Sequence, residues 1–244
     1  MRWSLSAQPD LERLGALPFA HRGLHGGGVV ENSRAAFAAA ITAGHGIELD
    51  VQASRDGETM VLHDYKLDRL TGETGDVASR SAAQLGAIRL NRTDETIPSL
   101  REILQLIAGR VPLLIEVKAP ERSVTRLCMA VYRSLEGYRG PVGIMSFNPE
   151  VPRWFDAHAP RVLRGLVVTE NGKRGLRGRL ERAFALWRSK AQFLAYDVRD
   201  LPSRFAKARR KRGMPVFTWT VRSDAERDRA ALHADQIIFE VPAA

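Results

Sequence analysis

Short apolar runs return along the chain at intervals that each leave room for one amphipathic helix. They occupy 17–22 (LPFAHR), 47–51 (IELDV), 112–118 (PLLIEVK), 142–147 (VGIMSF), 162–168 (VLRGLVV), 193–198 (FLAYDV), 215–221 (PVFTWTV) and 236–240 (QIIFE). Near-continuous apolar character over so few residues is the mark of strands buried on both faces. Between them, 33–44, 97–109, 123–137, 149–159, 176–190, 203–213 and 223–234 read as helices. Ser33 stands where the first of these needs a cap, and Gly44 lies near its end. Strands alternating with helices predict parallel pairing. Eight such units in 244 residues predict a TIM (β/α)8 barrel. The alternative is an open doubly wound sheet, but no Gly-x-Gly-x-x-Gly follows the first strand.

One interval breaks the rhythm. After the second strand an Asp56-Gly57 turn leads into 59–64 (TMVLHD), an extended, hairpin-like arm, and 65–98 is polar and turn-rich around TGETGD. This reads as a small insertion after the second strand. With no internal repeat or low-complexity segment, the expectation is one barrel domain over 1–244.

Composition narrows the class. Hydrophobic residues at 44% and charged residues at 27% are ordinary globular values. The single cysteine, Cys128, excludes an internal disulfide framework and, within RLCMAVY, reads as an inert buried thiol. The first twenty residues hold no apolar core of signal-peptide length, and no run suits a membrane span, so a cytoplasmic protein is expected. Net charge is +9, concentrated in 172–190 and 203–213. Such an excess suits an anionic partner. No nucleic-acid motif accompanies it, so it reads chiefly as solvated helix faces, with no nucleic acid expected. Phe184, Leu186, Trp187 and Phe205 on these helices fit weak association with anionic membranes.

Chemistry collects at the ends of the first strands. His21 and Arg22 end the first, Glu48 and Asp50 lie near the end of the second, His63 and Asp64 end the arm, and Glu116 and Lys118 end the next strand. Residues two apart on a strand share a face, so Glu48 and Asp50 project together, as do Glu116 and Lys118. Unpaired carboxylates converging in a barrel mouth repel one another. A divalent cation removes that cost, and an all-oxygen set suits Mg²⁺ or Ca²⁺ better than zinc. Each feature alone has a plainer reading: a salt-bridged pair, or a histidine at a turn. Their conjunction at strand ends does not.

Together, His21-Arg22-Gly23, Val30-Glu31-Asn32-Ser33, Glu48-Leu49-Asp50, Asp56-Gly57, His63-Asp64 and Glu116-Val117-Lys118 resemble the motifs of the glycerophosphodiester phosphodiesterase family. SLREIL (99–104), FTWT (217–220) and ADQIIFEVP (234–242) extend the resemblance over almost the whole chain. It implies a TIM barrel that hydrolyses glycerophosphodiesters to sn-glycerol 3-phosphate and an alcohol. It implies Glu48, Asp50 and Glu116 as metal ligands, His21 and His63 as general acid and base, and Arg22, Lys118 and Trp219 on the substrate. Two departures stand out. Arg222 replaces an asparagine, and the last strand ends Phe239-Glu240 where the family has Thr-Asp; Phe239 and Arg222 are expected to reshape the leaving-group side of the pocket. Rival readings are a lysophospholipase D acting on lysophospholipids at membranes and a non-catalytic polyanion-binding protein.

Overall fold

The structure is a computed structural model and describes residues 9–120 and 124–241. Its strands are β1 (Phe19–His21), β2 (Gly46–Ala53), β3 (Thr59–Val61), β4 (Leu113–Val117), β5 (Val142–Ser146), β6 (Leu163–Val168), β7 (Phe193–Asp197), β8 (Val216–Val221) and β9 (Gln236–Phe239). Its helices are α1 (Pro9–Leu14), α2 (Arg34–Thr42), α3 (Ala82–Gly86), α4 (Leu100–Ile107), α5 (Thr125–Ser134), α6 (Glu150–His158), α7 (Leu176–Ser189), α8 (Arg204–Arg210) and α9 (Asp224–His233). The sheet runs β1-β9-β8-β7-β6-β5-β4-β2, and β1 pairs with β2 to close it. All these pairings are parallel, so the expected eight-stranded barrel is present; β3 hangs antiparallel on the outer end of β2 as the arm. The helix expected over 123–137 is realised as α5; Ser123 lies outside the described residues.

Alternation along the strands sorts the core. Ile47, Leu49, Val51, Leu113, Ile115 and Val117 face outward and pack under the helices. Phe19, Leu114, Met145, Val167, Phe193, Ala195, Phe217 and Ile238 fill the barrel interior. Leu11 and Leu14 of α1, a helix the sequence pattern did not announce, join that interior cluster. Gly165 has a steric reason: a Cβ there would overlap the Phe193 ring. Gly165→Ala is therefore expected to destabilise the fold by about 1–3 kcal/mol, read as a lower Tm; an unchanged Tm would mean that the Phe193 ring can step aside.

The insertion has a small core of its own, with Leu67, Val77, Leu85, Ile88, Leu90 and Ile97 packed on Met60 and Leu62 of the arm. Cys128 is buried in the outer core, and burial pushes its thiol up to about 12, in keeping with an inert side chain. Leu186 is also core, and Phe205 is half-buried beside Arg209. Leu186, on the inward side of α7, is not free for the membrane contact expected of it.

Candidate active site

The two ends of a barrel differ, and here the ionisable residues lie at the C-terminal one. His21 pairs in register with Glu48, and two residues further along β2 Asp50 pairs with Glu116, so three neighbouring strands carry these groups side by side. Parity does the sorting: Glu48 and Asp50 flank an outward Leu49, and Glu116 follows an outward Ile115. One oxygen from each of Glu48, Asp50 and Glu116 lies within 4.8 Å of the others, and all three residues are buried.

The segment after β1 turns at once because its backbone must. Arg22 adopts φ 57° and Gly23 φ 80°. A Cβ on Gly23 would sit 2.8 Å from the Ala36 backbone, so glycine lets the loop dive beneath α2. The Arg22 amide then donates to Glu48 Oε2 at 3.1 Å, and its guanidinium lies between Asp50 (3.1 Å) and Glu31 (2.8 Å). Asn32, buried and also left-handed at φ 56°, donates to Asp50 Oδ2 at 3.0 Å. Just past the end of β4, Lys118 Nζ meets Glu116 at 2.6 Å and Asp50 at 3.1 Å.

The histidines are held from behind. His21 Nδ1 is 2.5 Å from Glu240 Oε1, and His63 Nδ1 is 2.6 Å from Asp64 Oδ1. An ionised carboxylate only accepts, so each ring donates through Nδ1–H and leaves Nε2 as its acceptor. Burial lowers the pKa of both rings, outweighing the carboxylates beside them. Gln52 fixes the His63 loop by donating to the carbonyls of Leu62 (2.9 Å) and Asp64 (2.6 Å). Arg69, from the insertion, ties Asp64 to Glu31 at 2.5 and 2.7 Å. The insertion thus bolts the His63 loop to the Arg22 loop.

The protein's own charges leave the carboxylate cluster unevenly ionised. Burial raises the Glu48 pKa well above 4.5, and Asp50 and Glu116 push it further. Glu116 is also raised, by burial first, against the pull of Lys118. Burial opposes ionisation of Asp50 too, but Lys118, Arg22 and the two histidines outweigh it and hold the group at about 2. Glu48 Oε1 is sealed from solvent with no hydrogen-bond partner among the described residues. An orphaned carboxylate oxygen facing two further carboxylates fits a hard divalent cation with oxygen ligands.

Around this centre a cavity of 250 Å³ is lined by His21, Arg22, Glu48, His63, Glu116 and Lys118, with Trp219 and Arg222 on the far wall. Seven of the eight residues expected at the site therefore line one space, and the eighth, Asp50, is clustered with Glu48 and Glu116. Trp219 donates to the Ala195 carbonyl at 2.9 Å and meets Phe147 edge-on at 5.5 Å. A cleft of 1330 Å³ leads outward from His63, Glu116 and Lys118 past Tyr65, Phe147 and Pro149 to Phe184 and Arg188.

Phe239 is a correction. Ile238 faces the interior, so Phe239 faces outward against His45 (5.0 Å) and Arg227 (5.8 Å) and lines no part of the mouth. Sequence reasoning instead passed over Glu240, which lies beside His21 because the barrel closes β9 onto β1. Arg222 holds Glu240 from its other side at 2.5 Å. The signal was available, since in a closed barrel the last strand is a neighbour of the first.

The chain is similar to proteins already described. The profile of the glycerophosphoryl diester phosphodiesterase family matches residues 21–242. A glycerophosphodiester phosphodiesterase of Caldanaerobacter subterraneus subsp. tengcongensis is 30% identical over 86% of this chain and 88% of its own length. One from Bacillus altitudinis is 39% identical over a shorter stretch, 41% of this chain and 43% of that protein. The solved structure of an Oleispira antarctica phosphodiesterase in complex with the product sn-glycerol-3-phosphate superposes with a TM-score of 0.80 at 24% identity, over 92% of this chain and 93% of that one. With the motifs, the closed barrel and a family match across nearly its whole length, the chain belongs to the glycerophosphoryl diester phosphodiesterase family.

Proposed function

We propose that this chain hydrolyses glycerophosphodiesters, releasing sn-glycerol 3-phosphate and an alcohol, with a divalent cation held by Glu48, Asp50 and Glu116. The observation that carries the reading is the buried three-carboxylate cluster flanked by two histidines, each held through Nδ1 by a carboxylate, that border one cavity. A bound cation supplies neutralisation of the phosphodiester's charge and polarises its oxygens. Arg22 and Lys118 add fixed positive charge where negative charge grows on the non-bridging oxygens. His21, neutral and backed by Glu240, takes the proton from the attacking hydroxyl. His63, bordering the outward cleft, acts from its protonated form, which the Asp64 carboxylate favours: its Nε2–H gives the proton to the departing alkoxide and the ring is left neutral. The hydroxyl comes from water or from the neighbouring glycerol carbon, which yields a cyclic phosphate that water then opens. Release of sn-glycerol 3-phosphate from a panel of glycerophosphodiesters, with Mg²⁺ and Ca²⁺ compared, tests the reading. No release with either ion would overturn it.

The outward cleft favours a second substrate class. Its walls carry Tyr65, Phe147, Pro149 and Phe184, apolar surface that a glycerol headgroup does not need. A lysophospholipid would lay its acyl chain there and be cleaved on the headgroup side by the same residues. A lower KM for lysophospholipids than for glycerophosphocholine favours this class; the reverse order removes it.

Glu240 is a positioning residue in this scheme. It fixes the His21 tautomer without touching substrate, as a carboxylate does behind a catalytic imidazole. Glu240→Gln is expected to lower kcat about 10-fold or more with little change in KM. A rise in KM at constant kcat would place Glu240 in binding instead.

A further inference from the structure

Helix α7 carries a feature that the active site does not use. On the helical period, Leu176, Leu180, Phe184 and Trp187 form one stripe, and Gly178, Arg182, Leu186 and Ser189 are buried on the opposite face. The stripe points away from the barrel: its members are 72%, 64%, 60% and 62% exposed. Large apolar side chains gathered on one patch mark an interaction surface, whereas scattered ones do not. Phe184 and Trp187 lie with ring centres 5.6 Å apart, so the patch is continuous at its wide end.

The rim is basic. From Lys173 to Lys190 the chain has seven basic residues against one acid, Glu181. Exposed Arg177 and Arg179 flank the stripe, and Lys190 Nζ stands 5.7 Å over the Trp187 ring. Helix α8 lies alongside, with Arg182 of α7 over its Phe205, and adds exposed Arg204 and Lys207. A second copy of the same face would bring this positive rim against itself. An anionic lipid surface complements both parts, the stripe by its acyl boundary and the rim by its phosphates. The position is also apt, because the cleft from His63 and Lys118 opens onto the helix at Phe184 and Arg188.

We propose that this face of α7 docks on anionic membrane surfaces and so brings the mouth of the cleft to the lipid headgroups. Docking itself is independent of which diester is cleaved; its use in delivering an amphiphilic phosphodiester rests on the proposed activity.

Co-sedimentation of the whole chain with phosphatidylglycerol–phosphatidylcholine vesicles, beside pure phosphatidylcholine vesicles, tests the docking without any substrate. Binding is expected to the anionic vesicles only, and to fall steeply towards about 1 M salt, where the Debye length is near 3 Å. Leu176→Ser/Leu180→Ser/Trp187→Ser is expected to weaken partitioning about 10-fold or more while kcat on a soluble glycerophosphodiester stays at the wild-type value. Arg177→Glu/Arg179→Glu leaves the apolar stripe intact and is expected to weaken binding to the anionic vesicles as well. No wild-type binding, equal binding to both vesicle types, or full binding by both variants overturns the proposal. So does a wild-type dimer that the triple variant converts to monomer, since the face would then join two copies.

Discussion

Glutamine in place of Glu48 is expected to make the cation-free protein more stable and the enzyme about 10³-fold slower or worse, the scale of removing several kcal/mol of charge stabilisation. The stability side follows from linkage. Glu48 in the folded chain keeps its proton well above 4.5, the ordinary value, because burial and two neighbouring carboxylates oppose its charge. Between 4.5 and that raised pKa the folded state binds a proton that the unfolded state has released, so stability falls as pH rises through this window. Asp50 acts in the opposite sense. Its pKa is held at about 2 against an ordinary 3.8, so its contribution is present above 3.8 and is lost as pH falls towards 2. Denaturant titrations at several pH values in EDTA should show wild-type stability declining above about pH 4.5 and the Glu48→Gln curve declining less steeply there, the remaining slope coming from Glu116. Added divalent ion should raise wild-type stability by mass action and leave the variant nearly unmoved. A variant less stable than wild type in EDTA, or full wild-type activity after exhaustive chelation, would remove Glu48 from the proposed metal site.

The same residues show why so much of this site is legible in a sequence. Glu48-Leu49-Asp50 and Glu116-Val117-Lys118 are short strand motifs, and the period of two on a strand is rigid. Once the strands are recognised, their charged side chains must share a face, and the parallel register Asp50↔Glu116 sets those faces level. The barrel follows from counting alternations. What sequence hid is whatever depends on closure or on parity in a strand without a marker. QIIFE has apolar residues at consecutive positions, so nothing local tells Ile238 from Phe239. The structure turns Ile238 inward and Phe239 outward, and it is Glu240 that reaches His21. Gln52 and Arg69 escaped notice for a related reason. They act through backbone carbonyls and through an insertion whose path no periodicity describes. On α7 the pattern showed an amphipathic helix without saying which stripe faced the barrel, so Leu186 was mistaken for surface and Leu176 and Leu180 were overlooked.

Alanine at either histidine is expected to lower kcat by about 10²-fold or more, the usual worth of a positioned acid or base. Neither ring is among the three carboxylates proposed as ligands, so calorimetric titration with Mg²⁺ or Ca²⁺ should give nearly wild-type affinity for both variants. The two rings differ in surroundings. His21 lies on the inner wall, its Nε2 3.9 Å from Glu48 and its Nδ1 on Glu240. His63 borders the outward cleft and is the more exposed ring, 32% against 11% for His21, so solvent can resupply the proton that a general acid gives up. A p-nitrophenyl phosphodiester leaves without a proton, so it should restore turnover to His63→Ala and not to His21→Ala. Rescue of His21→Ala alone would exchange the two roles while keeping the scheme. The double variant should be far less impaired than the product of the single losses, because an acid and a base that serve one transition state fail together. Multiplicative losses would mean that the rings act in separate steps. If both single variants keep full turnover yet lose metal affinity, the histidines are ligands and the acid–base scheme fails.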